Sequence, residues 1–167
     1  MAKIGIFYGS STGNTEFAAR KIAMQFGEGK ADVYNVDSAD ASDIEKYPYL
    51  IFGTSTWGIG DMQDDWEDFI EVVESVDLKG KKAAIFGVGD QDTYPDSFVD
   101  GMGTLYKRLK DKVEFAGEWP TDGYDFDHSD AVIKDKFVGL SLDVDNQDEL
   151  TQERIEQWVK ILMKEFK

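Results

Sequence analysis

The chain contains no cysteine. Disulfides, thiolate metal sites and iron–sulfur ligation by its own side chains are therefore excluded. Histidine is almost as scarce: His128 is the single one, so a histidine-rich metal site is excluded and a catalytic triad would rest on one ring. His128 reads as a solvated surface residue. No segment approaches the roughly 20 consecutive apolar residues of a membrane span. No secretory leader precedes the first apolar run, Ile4-Gly5-Ile6-Phe7-Tyr8, so the cytoplasm is the expected location. Positive charge is in short supply, with 18 Lys and Arg against 34 Asp and Glu and a formal net charge of -16. Such a surface repels nucleic acid and anionic membranes and steers the protein toward basic partners in a salt-dependent way. Solubility alone is the plainer reading of the same charge.

What is present suits one folded domain. At 167 residues, with 41% hydrophobic and 13% aromatic side chains, the chain has enough apolar material for one core and little room for a second. Short apolar runs alternate with stretches of helical period. Ile4–Tyr8, Tyr49–Gly53, Ala83–Val88 and Phe137–Leu142 read as strands buried on both faces, and Asp32–Val36 as a weaker edge strand. Ala18, Ile22 and Phe26 share a face of the first helix; Trp66, Phe69, Ile70 and Val73 share one later, and Met102, Leu105, Leu109 and Val113 another. The last helix carries the stripe Ile155, Trp158, Val159, Leu162 and Phe166, with Thr151 expected as its N-cap and Leu150 and Ile155 as a hydrophobic staple. Alternating strands and helices predict an α/β fold, an open parallel sheet of five strands with helices on both faces. The polar, aperiodic stretch Trp119–Lys136 is long for a connection and reads as an inserted surface loop.

In such sheets ligands bind beyond the carboxyl ends of the strands, so three loops matter. After the first strand comes Gly9-Ser10-Ser11-Thr12-Gly13-Asn14-Thr15, running into a helix. Glycines, hydroxyls and helix-start N–H groups suit a phosphate dianion. No Lys or Arg lies in this loop, and it lacks both the nucleoside-triphosphate ending and the Gly-x-Gly-x-x-Gly pattern. An ordinary helix-capping turn is the alternative. After the third strand, Thr54-Ser55-Thr56-Trp57-Gly58-Ile59-Gly60-Asp61 puts a tryptophan among small residues, where it suits stacking on a planar ring. After the fourth, Gly87-Val88-Gly89-Asp90-Gln91-Asp92-Thr93-Tyr94 adds glycines for close approach and a second aromatic. Taken singly, Trp57 also reads as a surface anchor and the last loop as a plain acidic turn.

Together these loops resemble the flavodoxin family, long-chain type. Ser10-Ser11-Thr12-Gly13-Asn14-Thr15 has the family form Thr/Ser-x-Thr-Gly-x-Thr, and Thr56-Trp57-Gly58-Ile59-Gly60 and Gly89-Asp90 through Tyr94 match its two flavin loops. Trp119-Pro120-Thr121-Asp122-Gly123-Tyr124-Asp125-Phe126 and Leu142-Asp143-Val144-Asp145-Asn146-Gln147 resemble the long-chain branch, in which an insertion interrupts the fifth strand. The resemblance implies a flavodoxin-like three-layer sandwich of strand order 2-1-3-4-5, and FMN as a non-covalent cofactor. It implies phosphate contacts from Ser10, Ser11, Thr12, Gly13, Asn14 and Thr15, with Thr54 and Ser55 nearby and a hydroxyl from Thr56. The ring is expected between Trp57 and Tyr94, with contacts from Gly58, Gly60, Gly89 and Asp90, and Asp145 reaching the sugar-like chain. The Gly58–Ile59 peptide is the one expected to turn its carbonyl toward the ring. Two positions depart from the family: Gly58 stands where long-chain relatives often carry Asn or His, and Val99 replaces a polar residue seen in some.

The implied role is a monomeric, low-potential one-electron carrier, not an enzyme, working between basic-surfaced redox proteins such as an NADP- or ferredoxin-linked reductase and downstream acceptors. The rival is an FMN-dependent NAD(P)H reductase on the same fold, but no basic residue near the loops offers to grip a second phosphate. A phospho-receiver domain would need an Asp where Thr54 stands and acids where Gly9-Ser10 stand.

Overall fold

The structure, a computed structural model, describes residues 2–9, 13–57 and 61–166; at Trp57, Asp61 and Met62 the description is of the backbone alone. In chain order the first half contains β1 (Ile4–Tyr8), α1 (Asn14–Phe26), β2 (Ala31–Asn35), α2 (Ala41–Glu45), β3 (Tyr49–Trp57), β4 (Asp61–Met62) and α3 (Asp64–Ser75). The second half contains β5 (Lys82–Val88), α4 (Asp100–Leu109), β6 (Glu114–Phe115), β7 (Trp119–Pro120), β8 (Val132–Ile133), β9 (Lys136–Phe137), β10 (Leu140–Leu142) and α5 (Val144–Glu165).

The main sheet runs β10-β5-β3-β1-β2, which is 2-1-3-4-5 counted from its other edge. β1 pairs in parallel with β2 and β3, β3 with β5, and β5 with β10. The central strands carry the continuous apolar runs because both faces are covered: Ile6, Phe7, Leu50, Ile51, Phe52, Ile85 and Phe86 are wholly buried. β2, at the edge, is only partly buried. α1 and α5 pack together over one face. On the other, α3 lies beside α2, and Arg108 of α4 clasps Glu74 of α3. No helix among the described residues is long and apolar enough to cross a membrane.

Three expectations are corrected. First, α5 begins at Val144, two turns before Thr151. Asp143 is its cap, its carboxylate accepting from Asn146 N, while Thr151 is buried inside the helix with its hydroxyl unpartnered. An aspartate directly after the last strand gives a charge-assisted cap, and the chain turns into the helix there. Leu150 and Ile155 consequently do not form a staple across the helix start, and a kink at Gln147 (φ -132, ψ 41) marks the passage to the regular helix.

Second, α4 ends at Leu109, so Val113 packs into the core from beyond it. Third, Phe137–Leu142 is two strands. β9 pairs antiparallel with β7 and β8 in a separate small sheet, and β10 alone joins the main one. Gly139 makes the crossing, where a Cβ would lie 1.9 Å from the Ile85 carbonyl oxygen. The fifth position of the main sheet is thus filled by two pieces, β6 beside the start of β5 and β10 beside its end.

Candidate functional site

Parallel pairing brings the carboxyl ends of β1, β3 and β5 side by side, with Tyr8 opposite Gly53 and Ser55 opposite Val88. All three candidate loops leave from this edge. Beneath the first, Gly53 O accepts from Gly9 N at 3.1 Å and from the buried Trp66 indole at 2.7 Å. Gly9 has no room for a side chain, because a Cβ would lie 2.2 Å from Gln63 Oε1. Gln63, itself buried, caps α3 by accepting from Asp65 N at 3.0 Å. Ser10, Ser11 and Thr12 lie outside the described residues. The chain re-enters α1 through Gly13, whose left-handed backbone (φ 91, ψ -14) is one that side chains resist.

Among the described residues no side chain caps this helix start. Thr15, in its first turn, is buried with its Oγ1 unpartnered among the described residues, whereas the one acid in that turn, Glu16, is held by Arg20 at 3.0 Å. A buried hydroxyl without a partner costs about 1–3 kcal/mol, and beside the positive end of a helix it asks for an anionic acceptor. The residues present therefore fit a phosphate group.

In the second loop, Thr54 is buried, with its hydroxyl on Ser55 O at 3.0 Å, and Ser55 is half-buried. Thr56 and Trp57 pair antiparallel with Met62 and Asp61, closing a hairpin. Gly58, Ile59 and Gly60, and the Trp57 side chain, lie outside what is described. Thr56 Oγ1 accepts from Gly101 N of α4 at 2.9 Å, which leaves its own proton to donate.

In the third loop, Gly89 N donates to Leu142 O at 3.0 Å. Val99 is wholly buried with φ 49, and its side chain sits 3.1 Å from where a Gly89 Cβ would be, so it packs behind this loop and makes no polar contact. Tyr94 N donates to Asp90 O, and the Tyr94 ring is 43% exposed, an uncovered aromatic at the loop tip. Burial disfavours ionisation of Asp90, but hydrogen bonds from Thr93 N and Asn146 together outweigh it and hold the carboxyl below its usual range. Asp145 is pushed up, first by desolvation, then by the charges of Asp90 and Asp143.

Sequence reasoning passed over Gln63, Gln91, Asp143 and Asn146. Asp143-x-x-Asn146 directly after an apolar run is a helix-start pattern, and that was the available signal. Around the loops, Asp64, Glu67, Asp68, Asp92 and Asp96 are exposed, and none of them joins an ion pair among the described residues.

A doubly wound parallel sheet with an anion-accepting helix start and two aromatic-bearing glycine loops at its carboxyl edge defines the flavodoxin-like class of nucleotide-binding α/β proteins. The family model described as Flavodoxin matches residues 6–158. The chain belongs to the flavodoxin family. It is 47% identical over 168 residues to the flavodoxin of Synechococcus elongatus, covering 99% of each chain. To Flavodoxin 1 of Escherichia coli K12 it is 44% identical over 168 residues, 99% of this chain and 96% of that one. Among solved structures, the Fusobacterium nucleatum flavodoxin bound to flavin mononucleotide is similar over 100% of both chains, with a TM-score of 0.93 and 32% identity.

Proposed function

We propose that the protein holds FMN across the three loops and passes single electrons between partner proteins, as an electron-transfer protein and not an enzyme. The observation that carries this reading is the start of α1: a glycine-turned helix N-terminus whose buried Thr15 hydroxyl has no partner among the described residues. When bound, FMN supplies the redox chemistry by accepting and releasing electrons at its ring.

The chain's residues do the rest. Ser10 to Thr15 hold the phosphate through N–H groups and hydroxyls, with no cation in the loop. Trp57 and Tyr94 would hold the ring and limit water, and Gly58, Gly60, Gly89 and Asp90 would offer it backbone or side-chain contacts. The exposure of Tyr94 leaves that side within reach of a docking partner. The unpaired acids oppose added negative charge at the ring. Each solvated charge about 10 Å away contributes roughly 0.4 kcal/mol, so several lower the second reduction step by tens of millivolts, on a scale of about 59 mV per tenfold for one electron. The same acids select basic-surfaced reductases and acceptors. The protein works as a monomer in the cytoplasm. A nicotinamide-dependent reductase is not favoured, since the relatives above are flavodoxins.

The test is spectroscopic. The protein purified from cells should be yellow, release FMN on denaturation, and take up reducing equivalents in two separate one-electron steps. Steady NAD(P)H oxidation by the pure protein would instead support the reductase.

A further inference from the structure

We infer that Asp143 is a positioning residue for the cofactor site, holding the Asp90–Tyr94 loop against the first turn of α5. The inference rests on the FMN reading above. As a helix cap, Asp143 needs one contact, Asn146 N to its Oδ1 at 3.1 Å. It makes several more. The side chain is wholly buried, and its Oδ2 accepts from Gln91 N at 3.1 Å, Gln91 Nε2 at 2.7 Å and Asn146 Nδ2 at 2.9 Å. Burying a carboxylate is costly unless hydrogen bonds compensate it. Here the compensation is shared: Gln91 N and Nε2 of the third loop supply two donors, and Asn146 N and Nδ2 of the helix it caps supply the others.

The contacts extend in two directions. Asn146 Nδ2 also reaches Asp90 Oδ1 at 2.8 Å, and the same oxygen accepts from Thr93 N at 2.9 Å. Gln91 Oε1 accepts from Asp125 N, tying the hub to the chain between β7 and β8. That segment also holds the far side of the loop, where Pro95 O accepts from Asp127 N at 2.7 Å and His128 N at 2.9 Å. Tyr94 stands between these anchors with its ring exposed, so hydrogen bonds, and not core packing, set where the ring lies. Asp145 lies between Asp143 and Asn146 in the same turn, so one carboxylate fixes the spacing of Asp90, Tyr94 and Asp145.

The experiment compares wild type with Asp143→Asn, which sets an N–H donor against the donors of either Gln91 or Asn146, and with Asn146→Ala. Asn146 is exposed, so its truncation leaves the core intact even if Asp143→Asn fails to fold. Amide exchange in the FMN-free protein reads the loop directly. At Gln91 and Thr93 it should quicken about tenfold in Asn146→Ala, and more in Asp143→Asn, with β1 and β3 unchanged. FMN should bind both variants about tenfold more weakly or worse, and the second reduction step of the loaded protein should move to a less negative potential. Unchanged loop exchange overturns the inference, as does faster exchange with wild-type FMN affinity and potential. A wild-type chain that takes up no FMN sinks the cofactor reading and this inference with it; uptake by wild type and variants alike sinks this inference alone.

Discussion

Replacing Thr15 by valine separates a structural hydroxyl from a ligand-seeking one. Valine keeps the branched shape and a similar helix propensity, and removes the Oγ1 that is buried without a partner. If that oxygen serves only an incoming phosphate, the FMN-free protein loses nothing by the change. It sheds a desolvated polar group and should gain about 1 kcal/mol, within the 1–3 kcal/mol such a group costs. In a chain this size that raises Tm by roughly 2–4 °C. The loaded protein should show the opposite effect. One charge-assisted hydrogen bond to phosphate is worth about 1.5–3 kcal/mol, so FMN should bind roughly 10- to 150-fold more weakly. Urea unfolding of the FMN-free variant and a flavin-fluorescence titration measure the two effects. A destabilised FMN-free variant with wild-type affinity would refute the reasoning, because it would mean the hydroxyl is used within the fold.

Gly53→Ala should destabilise by about 1–3 kcal/mol, the usual cost of overpacking a core, because the new Cβ would fall 2.0 Å from the Phe86 ring; chemical denaturation checks it. Asp100 is raised above its usual value by burial first, with the charge of Asp130 adding to it and the hydrogen bond from Asp130 N opposing. A carboxyl raised in the folded state favours the protonated protein, so its contribution is greatest below the unfolded value near about pH 4 and is lost as pH rises through the folded value. Asp100→Asn keeps an acceptor for Asp130 N and should therefore stabilise at pH 7 but not at pH 3; an equal effect at both would contradict the sign. Gly58→Val should narrow the gap between the two reduction potentials, since a β-branched side chain would resist the expected turning of the Gly58–Ile59 peptide; potentiometry decides.

Much of the fold was legible because a buried parallel sheet writes itself as apolar runs. Ile4–Tyr8 matches its strand residue for residue, and Tyr49–Gly53 and Ala83–Val88 fall inside longer ones. The start of α5 was not legible for the opposite reason. Its first turn, Val144 to Gln147, is polar because it serves the third loop, so it carries no apolar period, and the first hydroxyl ahead of the stripe, Thr151, drew the assignment. Two-residue strands such as β6 and β9 are too short to show alternation, and what splits Phe137–Leu142 is the contact of Gly139 with Ile85, which no local pattern reveals. In the site, glycines and hydroxyls announced the loops. The amides that fasten the third one, at Gln91 and Asn146, did not, because their role depends on residues distant in sequence, Asp143 for Gln91 and Asp90 for Asn146.

The central claim is that a phosphate tail gripped at the start of α1 anchors the cofactor. It is tested most directly by titrating the flavin-free protein with FMN and with riboflavin, which shares the ring and lacks the phosphate. Several charge-assisted hydrogen bonds at a helix N-terminus should make FMN bind on the order of a thousandfold more tightly. Equal affinity for the two flavins would contradict the account.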